Sequence, residues 1–515
     1  MNGAEALMRT FVDAGTDVCF MNPGTSEMHF VAALDRVPEM RGVLTLFEGV
    51  ATGAADGYGR IAGRPAVALL HLGPGLGNGI ANLHNARRAR TPLVTVVGEH
   101  ATFHQRFDAP LQSDIAALAG PVSGWVRTVA GVAGVGADTA DAIAAARGGC
   151  VATLIVPADV SWSEGAAVAP LPPAPAPSTV DADRVAAAAK ALRSSRAALL
   201  LGGAALREPG LLAAARAAAV TGARVLGETF PARLERGAGL PPLERIAYLP
   251  ELAAQQLGGL ETIVLAGAKA PVTFFGYPDT PSQPAPPGCE ILAFAAPGED
   301  VVGALAALAA EVGAGGRVDL APVALAPAAR PEAPTGRLDA GSFAAAVAAT
   351  LPEDTIVVDE ANTSGVGVPA ATAGAPRHDL LALTGGSIGQ GPPVAVGAAV
   401  AASGRPVLNL QADGSALYTL QAWWTQAREG LDVTTVVLNN RSYAILHYEL
   451  SRVGAAGDGD RARAMLNLTD PVPDHVSLAR GMGLPAERAQ TADDLVRLLR
   501  QAYAEPGPHL IEAVL

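Results

Sequence analysis

Cysteine is scarce in this chain of 515 residues: Cys19, Cys150 and Cys289 stand far apart and no Cys-x-x-Cys pair occurs. That excludes a disulfide framework, reads as reduced and mostly structural thiols, and points to a cytoplasmic protein. Basic charge is short as well, with 36 Lys and Arg against 49 Asp and Glu and a net charge of −13. With no basic stripe, neither nucleic acid nor an anionic membrane surface is expected as a partner. Long apolar runs are missing. The Ala, Val and Gly stretches are broken by charges or prolines well before the length of a membrane span, and the opening MNGAEALMRT has no signal-peptide core. What remains is ample for globular cores: 50% of the residues are hydrophobic, and the length suggests about three domains.

Two Pro/Ala-rich stretches divide the chain. Residues 168–178 (VAPLPPAPAPS) and 317–336 (RVDLAPVALAPAARPEAPTG) read as extended, semi-rigid linkers. They bound units at 1–167, 179–316 and 337–515. Each unit alternates short apolar runs with Ala-rich helical patterns, the mark of parallel α/β construction. The expected fold class is α/β, with three doubly wound parallel-sheet domains. No internal duplication is visible in the sequence.

The third unit holds the most informative stretch, ADGSALYTLQAWWTQAREGLDVTTVVLNNRSY. The run Arg405–Leu410 leads to Asp413-Gly414. A helical pattern follows, and the apolar run Val433–Leu438 leads to Asn439-Asn440. Strand, loop, helix, strand, loop puts Asp413 and the Asn pair at the carboxyl ends of two parallel strands, the edge where open α/β sheets bind ligands. A carboxylate and an amide oxygen there suit a hard cation such as Mg²⁺, which takes its remaining ligands from a phosphate-bearing partner. The Asp-Gly-Ser turn offers backbone N–H groups to the same phosphates. Taken alone, these residues also fit an ordinary crossover with a capping Asp and a turn Asn-Asn. In the first unit, LTLFEGVATGAADGYGR (44–60) sets Glu48 after a strand-like run and at the head of a small-residue helix. A carboxylate there is partly withdrawn from water, and a helix start also favours it electrostatically.

The two stretches together resemble the thiamine diphosphate (ThDP) enzymes, specifically the 2-oxo-acid decarboxylase and acetolactate synthase superfamily. The first is similar to its GDG…NN diphosphate motif, with Ala412 where Gly is usual, and the second to its activating-Glu segment. NPGTSE (22–27), HLGPGLGNG (71–79) and GGSIGQGPPVAVG (385–397) resemble its NPG turn, GPG loop and GG-hydrophobic-G segment. The resemblance implies pyrimidine-binding, central and diphosphate-binding domains in that order. It implies Mg²⁺ held by Asp413, the Asn440 side chain and the Ser442 carbonyl. It implies ThDP contacted by Glu48, Pro23, Asn78, Asn362, Thr363, Gly386, Ile388, Asp413, Gly414, Ser415, Asn440, Ser442, Tyr443 and Ala444. Glu48 would activate the cofactor through its aminopyrimidine, and Ile388 would prop its rings into a bent V. Glu48 and Asp413 would serve one cofactor from different subunits of a homodimer or homotetramer.

The activity so implied is decarboxylation of a small-molecule 2-oxo acid, after which the product carbon is protonated to an aldehyde or joined to a second carbonyl. Alternatives are an acetolactate synthase-type carboligase, or a ThDP-dependent lyase or hydrolase acting on another bond. By resemblance to benzoylformate decarboxylase-like enzymes, His71 would assist proton transfer and Thr25 would contact the substrate carboxylate. Gln112, Ile445 and Leu446 would line the pocket, and Ile445 would narrow it toward small aliphatic acids. A second active-site His of those enzymes, expected near Gly276, is absent; His100 and His104 are candidates to replace it. The FAD-binding segment of acetolactate synthases has no counterpart in GAKAPVTFFGYPD (267–279). Residues 453–470 are candidates for a lid.

Overall fold

In the computed structural model, which describes residues 1–173, 176–314, 323–455, 457 and 459–515, the chain builds three parallel-dominated α/β sheets. Parts of the expected linkers and lid (174–175, 317–322, 456 and 458) lie outside the described residues. Most inner strands are apolar on both faces, as sheets covered by helices on both sides require.

The first sheet uses β1 (Val18–Met21), β2 (Arg41–Leu44), β3 (Ala66–His71), β4 (Leu93–Glu99), β5 (Trp125–Thr128) and β6 (Val151–Pro157), in the order β2-β1-β3-β4-β6-β5. The second uses β7 (Ala197–Leu201), β8 (Arg224–Gly227), β10 (Glu244–Arg245), β11 (Thr262–Ala266) and β12 (Glu290–Ala295), in the order β10-β8-β7-β11-β12. The third uses β13 (Ile356–Glu360), β14 (His378–Ala382), β15 (Val407–Ala412), β16 (Val433–Asn439), β17 (Ala486–Ala489) and β18 (His509–Val514). Its order is β17-β18-β16-β15-β13-β14-β9.

The expectation of three self-contained parallel sheets needs one amendment. The edge strand β9 (Leu234–Arg236) comes from the central stretch of chain and pairs antiparallel with β14. A strand this short carries no periodicity to announce it.

Read from β14 inward, the third sheet has the strand order of the first. The helix after the second strand of each, Glu48–Ala62 and Gly391–Ala401, packs against the other, with Val50, Ala51 and Ala54 in one apolar core with Val394, Ala395 and Ala398. The small residues of LTLFEGVATGAADGYGR permit this close approach, and Gly63, at φ 66, ends the helix as a left-handed cap. A buried Arg60–Asp56 pair locks the seam, because Arg60 also donates to the Ala382 carbonyl at 2.8 Å and to Thr384 Oγ1 at 2.9 Å. Removing one partner of such a pair strands a buried charge, at a cost of about 3–5 kcal/mol. Among the described residues, no helix is long and apolar enough to cross a membrane.

Candidate functional site

Two groups of polar side chains form at carboxyl ends of strands. In the first sheet, β3 ends on His71 and turns at once into the Leu72–Ala89 helix through Leu72, which takes a left-handed φ of 50. A side-chain-bearing residue held there is strained and persists where the surroundings fix it. Glu48 heads its helix, 8% exposed, and its Oε2 accepts a hydrogen bond from Asn78 Nδ2 at 3.0 Å. Thr25 is exposed at the start of a short turn, with Pro23 half-buried before it.

The same turn supplies a group that the sequence reading missed. Glu27 is fully buried, and its Oε2 lies 2.7 Å from His71 Nδ1 and accepts the Gly24 N–H at 2.8 Å. Two glycines make room for this pair. A Cβ on Gly24 would fall 2.4 Å from the His71 ring, and one on Gly98 would fall 1.6 Å from Glu27 Oε1. The Glu27 hydrogen bond holds the His71 pKa above its ordinary value against the opposing effect of burial, with added help from the Glu48 charge. His71 Nε2 makes no hydrogen bond among the described residues.

In the third sheet, β15 and β16 are parallel neighbours, so Asp413 and Asn440 do end adjacent strands. Ala412 is extended, at φ −74 and ψ 147, so the usual Gly is not needed before Asp413. Asp413 is 2% exposed; its Oδ1 accepts Gly414 N–H at 2.8 Å and its Oδ2 accepts Arg441 N–H at 2.6 Å. Burial pushes its carboxyl up, and these backbone donors oppose that. No cationic side chain pairs with it among the described residues. Asn440 Oδ1 accepts Ser442 N–H at 2.9 Å, and its Nδ2 reaches Ser364 Oγ at 3.3 Å. A buried carboxylate short of a counter-charge, next to an amide and a carbonyl oxygen, suits a hard cation with oxygen ligands. The expected Mg²⁺ ligands therefore fit the ion.

Around them, Gly414 and Ser415 are buried in a single helical turn, and Tyr443 packs on Gly414 and precedes Ala444 at the head of the Ala444–Arg452 helix. Asn362, at φ 49, and Thr363 are exposed beyond β13. Gly386 and Ile388 lie half-buried before the Gly391–Ala401 helix, and backbone N–H groups at the start of that helix and just before it face a second missed carboxylate. Glu360 accepts Gly389 N–H at 2.6 Å and Gly391 N–H at 2.5 Å, and burial pushes its pKa up to about 7. The far end of the expected lid is tied down, with Tyr443 N–H on the Leu466 carbonyl at 2.9 Å and Leu468 N–H on that of Arg441 at 2.8 Å.

The expected pocket residues are dispersed. Gln112 is half-buried with an unpartnered Oε1, Ile445 is half-buried, and Leu446 is exposed. His100 follows β4 with its Nε2 buried and unpartnered, its ring 5.4 Å from that of the exposed His104. Near the exposed Gly276, where a His was sought, the chain instead presents aromatics. Phe274 packs on Gly386 and stacks with Phe230, Tyr248 and Phe275. Tyr277 and Tyr248 donate to Glu449 Oε1 at 3.0 and 3.4 Å and so fasten the Ala444–Arg452 helix. Glu27 could have been suspected from NPGTSE. Its partner could not, because only the β1–β3 pairing brings it to His71.

A family model described as the thiamine pyrophosphate enzyme N-terminal TPP binding domain matches residues 1–119, and its C-terminal TPP binding domain counterpart matches 362–513. A Mycobacterium tuberculosis protein provisionally named acetolactate synthase large subunit IlvX is 61% identical over 100% of this chain and 99% of its own length. Benzoylformate decarboxylase of Pseudomonas aeruginosa is 28% identical over 97% of this chain and 96% of its own. The solved ThDP-dependent 4-hydroxybenzoylformate decarboxylase of Rhodococcus jostii matches 99% of this chain and 98% of its own with a TM-score of 0.85, at 24% identity, a likeness of fold.

Proposed function

The chain belongs to the thiamine pyrophosphate enzymes, of the acetolactate synthase and benzoylformate decarboxylase type, and on that premise we propose that it is a Mg²⁺-dependent decarboxylase releasing an aldehyde from a 2-oxo acid. The observation that carries the aldehyde branch is the His71–Glu27 pair: a buried carboxylate raises the pKa of an imidazole near Glu48, and the second ring nitrogen makes no hydrogen bond among the described residues.

Bound ThDP supplies a nucleophilic carbon for the substrate carbonyl and a sink for the electron pair left when CO₂ departs. The chain does the rest. Asp413, Asn440 and the Ser442 carbonyl would hold Mg²⁺, and the turn at Gly414 and Ser415 would lie against the diphosphate. Glu48, steadied by Asn78, accepts a hydrogen bond from the aminopyrimidine. Thr25 offers its hydroxyl to the substrate carboxylate. His71 would donate its Nε2 proton to the product carbon, leaving a neutral ring, and the Glu27 charge, which favours the protonated imidazole, would help it take a proton back from solvent.

No hydrogen bond or ion pair joins Glu48, Asn78, His71 or Glu27 to Asp413, Asn440 or Ser442 among the described residues. In the family reading, the two groups serve one cofactor from different chains of a homodimer or a larger assembly, so a dilute monomer should be inactive until concentrated.

The test is CO₂ release with ThDP and Mg²⁺ across 2-oxo acids from pyruvate to benzoylformate, with the products identified. Free aldehyde from at least one acid is expected. Failure to release CO₂ from any of them, with ThDP bound, overturns the proposal in favour of another bond as target. The name of the 61% identical relative favours a second reading, carboligation of pyruvate. Acetolactate in place of acetaldehyde would establish that branch.

A further inference from the structure

Behind the Asp413 and Asn440 loops lies a buried polar network with no role in the chemistry above. His475 opens the His475–Gly481 helix with its ring fully buried. Its Nε2 is 3.2 Å from the Asp413 main-chain oxygen, an acceptor, so that nitrogen carries the proton. Its Nδ1 is 3.6 Å from Glu512 Oε1, beyond hydrogen-bond distance. Glu512 is 1% exposed in β18; its Oε1 accepts Asn439 Nδ2 at 2.6 Å and its Oε2 accepts Arg488 Nε at 2.7 Å. Burial works against its charge, but contacts with His475, Arg488 and Asn439 prevail and hold the carboxyl below its ordinary value.

The network reaches both loops without touching an expected metal ligand through Glu512 itself. On one side, His475 fixes the Asp413 carbonyl. The planar trans peptide then points the Gly414 N–H the opposite way, where it meets Asp413 Oδ1 at 2.8 Å. On the other side, Asn439 Oδ1 accepts the Arg441 N–H at 3.1 Å, while the same N–H donates to Asp413 Oδ2 at 2.6 Å. Arg441 sits at a left-handed φ of 58, a conformation that a residue with a side chain keeps only where its surroundings hold it. That turn carries the chain from Asn440 to Ser442. Apart from His475 Nδ1, which has no hydrogen-bond partner among the described residues, the buried polar groups of this network are paired, and such pairing favours one arrangement over others.

We propose that Glu512, acting through His475 and Asn439, is a positioning residue that presets the Asp413 and Asn440–Ser442 loops for Mg²⁺ and diphosphate before either binds. The proposal rests on the Mg²⁺–ThDP reading of those loops. Preset loops bind tightly because little ordering is left to do on binding, and outer partners of metal ligands commonly govern affinity about 10- to 100-fold.

The experiment is calorimetric titration of the full-length protein with ThDP at fixed Mg²⁺, repeated across Mg²⁺ concentrations, for wild type, Glu512→Gln and His475→Gln. Glu512→Gln is expected to raise the ThDP Kd about 10-fold or more and to raise the Mg²⁺ needed for half-saturation. His475→Gln leaves the Glu512–Arg488 pair in place and is expected to show a smaller rise, so it serves if the first variant does not fold. A lowered melting temperature with unchanged Kd in whichever variants fold means structural support alone and overturns the inference. Wild-type protein that bound no ThDP would overturn the cofactor reading, and this inference with it.

Discussion

The first and third sheets share a strand order yet present different chemistry at matching strand ends. After the third strand, one offers His71 and the other Asp413; after the fourth, one offers Glu99 and His100 and the other Asn439 and Asn440. After the first strand, Glu27 stands in one and Glu360 in the other. In the first sheet, carboxylates meet side chains, as Glu27 meets His71 and Glu48 meets Asn78, although Glu27 also accepts the Gly24 backbone N–H. In the third, carboxylates meet backbone N–H groups, as Asp413 meets Gly414 and Arg441 and Glu360 meets Gly389 and Gly391. Backbone donors favour the charged form of a carboxylate, which suits the proposed cation site. An imidazole can titrate, which suits the proton transfer proposed for His71. Topology supplies the positions, and the partner's chemistry divides the work.

Five substitutions would break or sharpen that contrast. Glu48→Gln should lower turnover about 100- to 10,000-fold while ThDP still binds; turnover near wild type would remove Glu48 from the proton chemistry. Asp413→Ala should do the reverse, weakening Mg²⁺-dependent ThDP binding by at least about 100-fold, measured by titration. If it bound normally, the third sheet would not be the cation half. Glu27→Gln should lower kcat about 10-fold and shift the pH profile. His71 must be protonated to act as an acid, and Glu27 raises its pKa. Activity is therefore present below that raised value and lost as pH rises through it, and the variant's alkaline limb should fall at lower pH. A limb that stayed in place would assign the proton to another group, His100 being the nearest candidate. Ile445→Ala should move the kcat/KM ratio about 10-fold toward benzoylformate over pyruvate; an unchanged ratio would take Ile445 out of the pocket.

The smallest effect concerns stability. Glu360 has a folded pKa of about 7, above the ordinary carboxyl value of about 4.3. Its contribution is complete below that ordinary value and is lost as pH rises through about 7. The melting temperature of Glu360→Gln relative to wild type should therefore climb between pH 5 and 8, and a flat difference would mean that the two backbone donors already stabilise the charged form.

Much of the site was legible because its residues sit at local punctuation. Asp413, Asn440 and Glu48 each end an apolar run and begin a turn or helix, and a run followed by a turn in parallel α/β chain fixes which sheet edge a residue occupies. The strain at Leu72 and Arg441 was not legible, because nothing in those side chains favours a left-handed backbone. Nor was the aromatic group around Phe274, whose members Phe230, Tyr248 and Phe275 meet through folding of separate loops.

By itself the sequence determined the α/β class and the thiamine pyrophosphate-binding motifs, since periodicity and short-range spacing carry that information. The tertiary structure alone decided that Glu27 serves His71, that Glu512 stands behind both Asp413 and Asn440, that β9 crosses to the third sheet, and that two sheets repeat one order. Those facts depend on which distant strands lie side by side, and a parallel pairing made through a crossover leaves no mark in the residues it brings together.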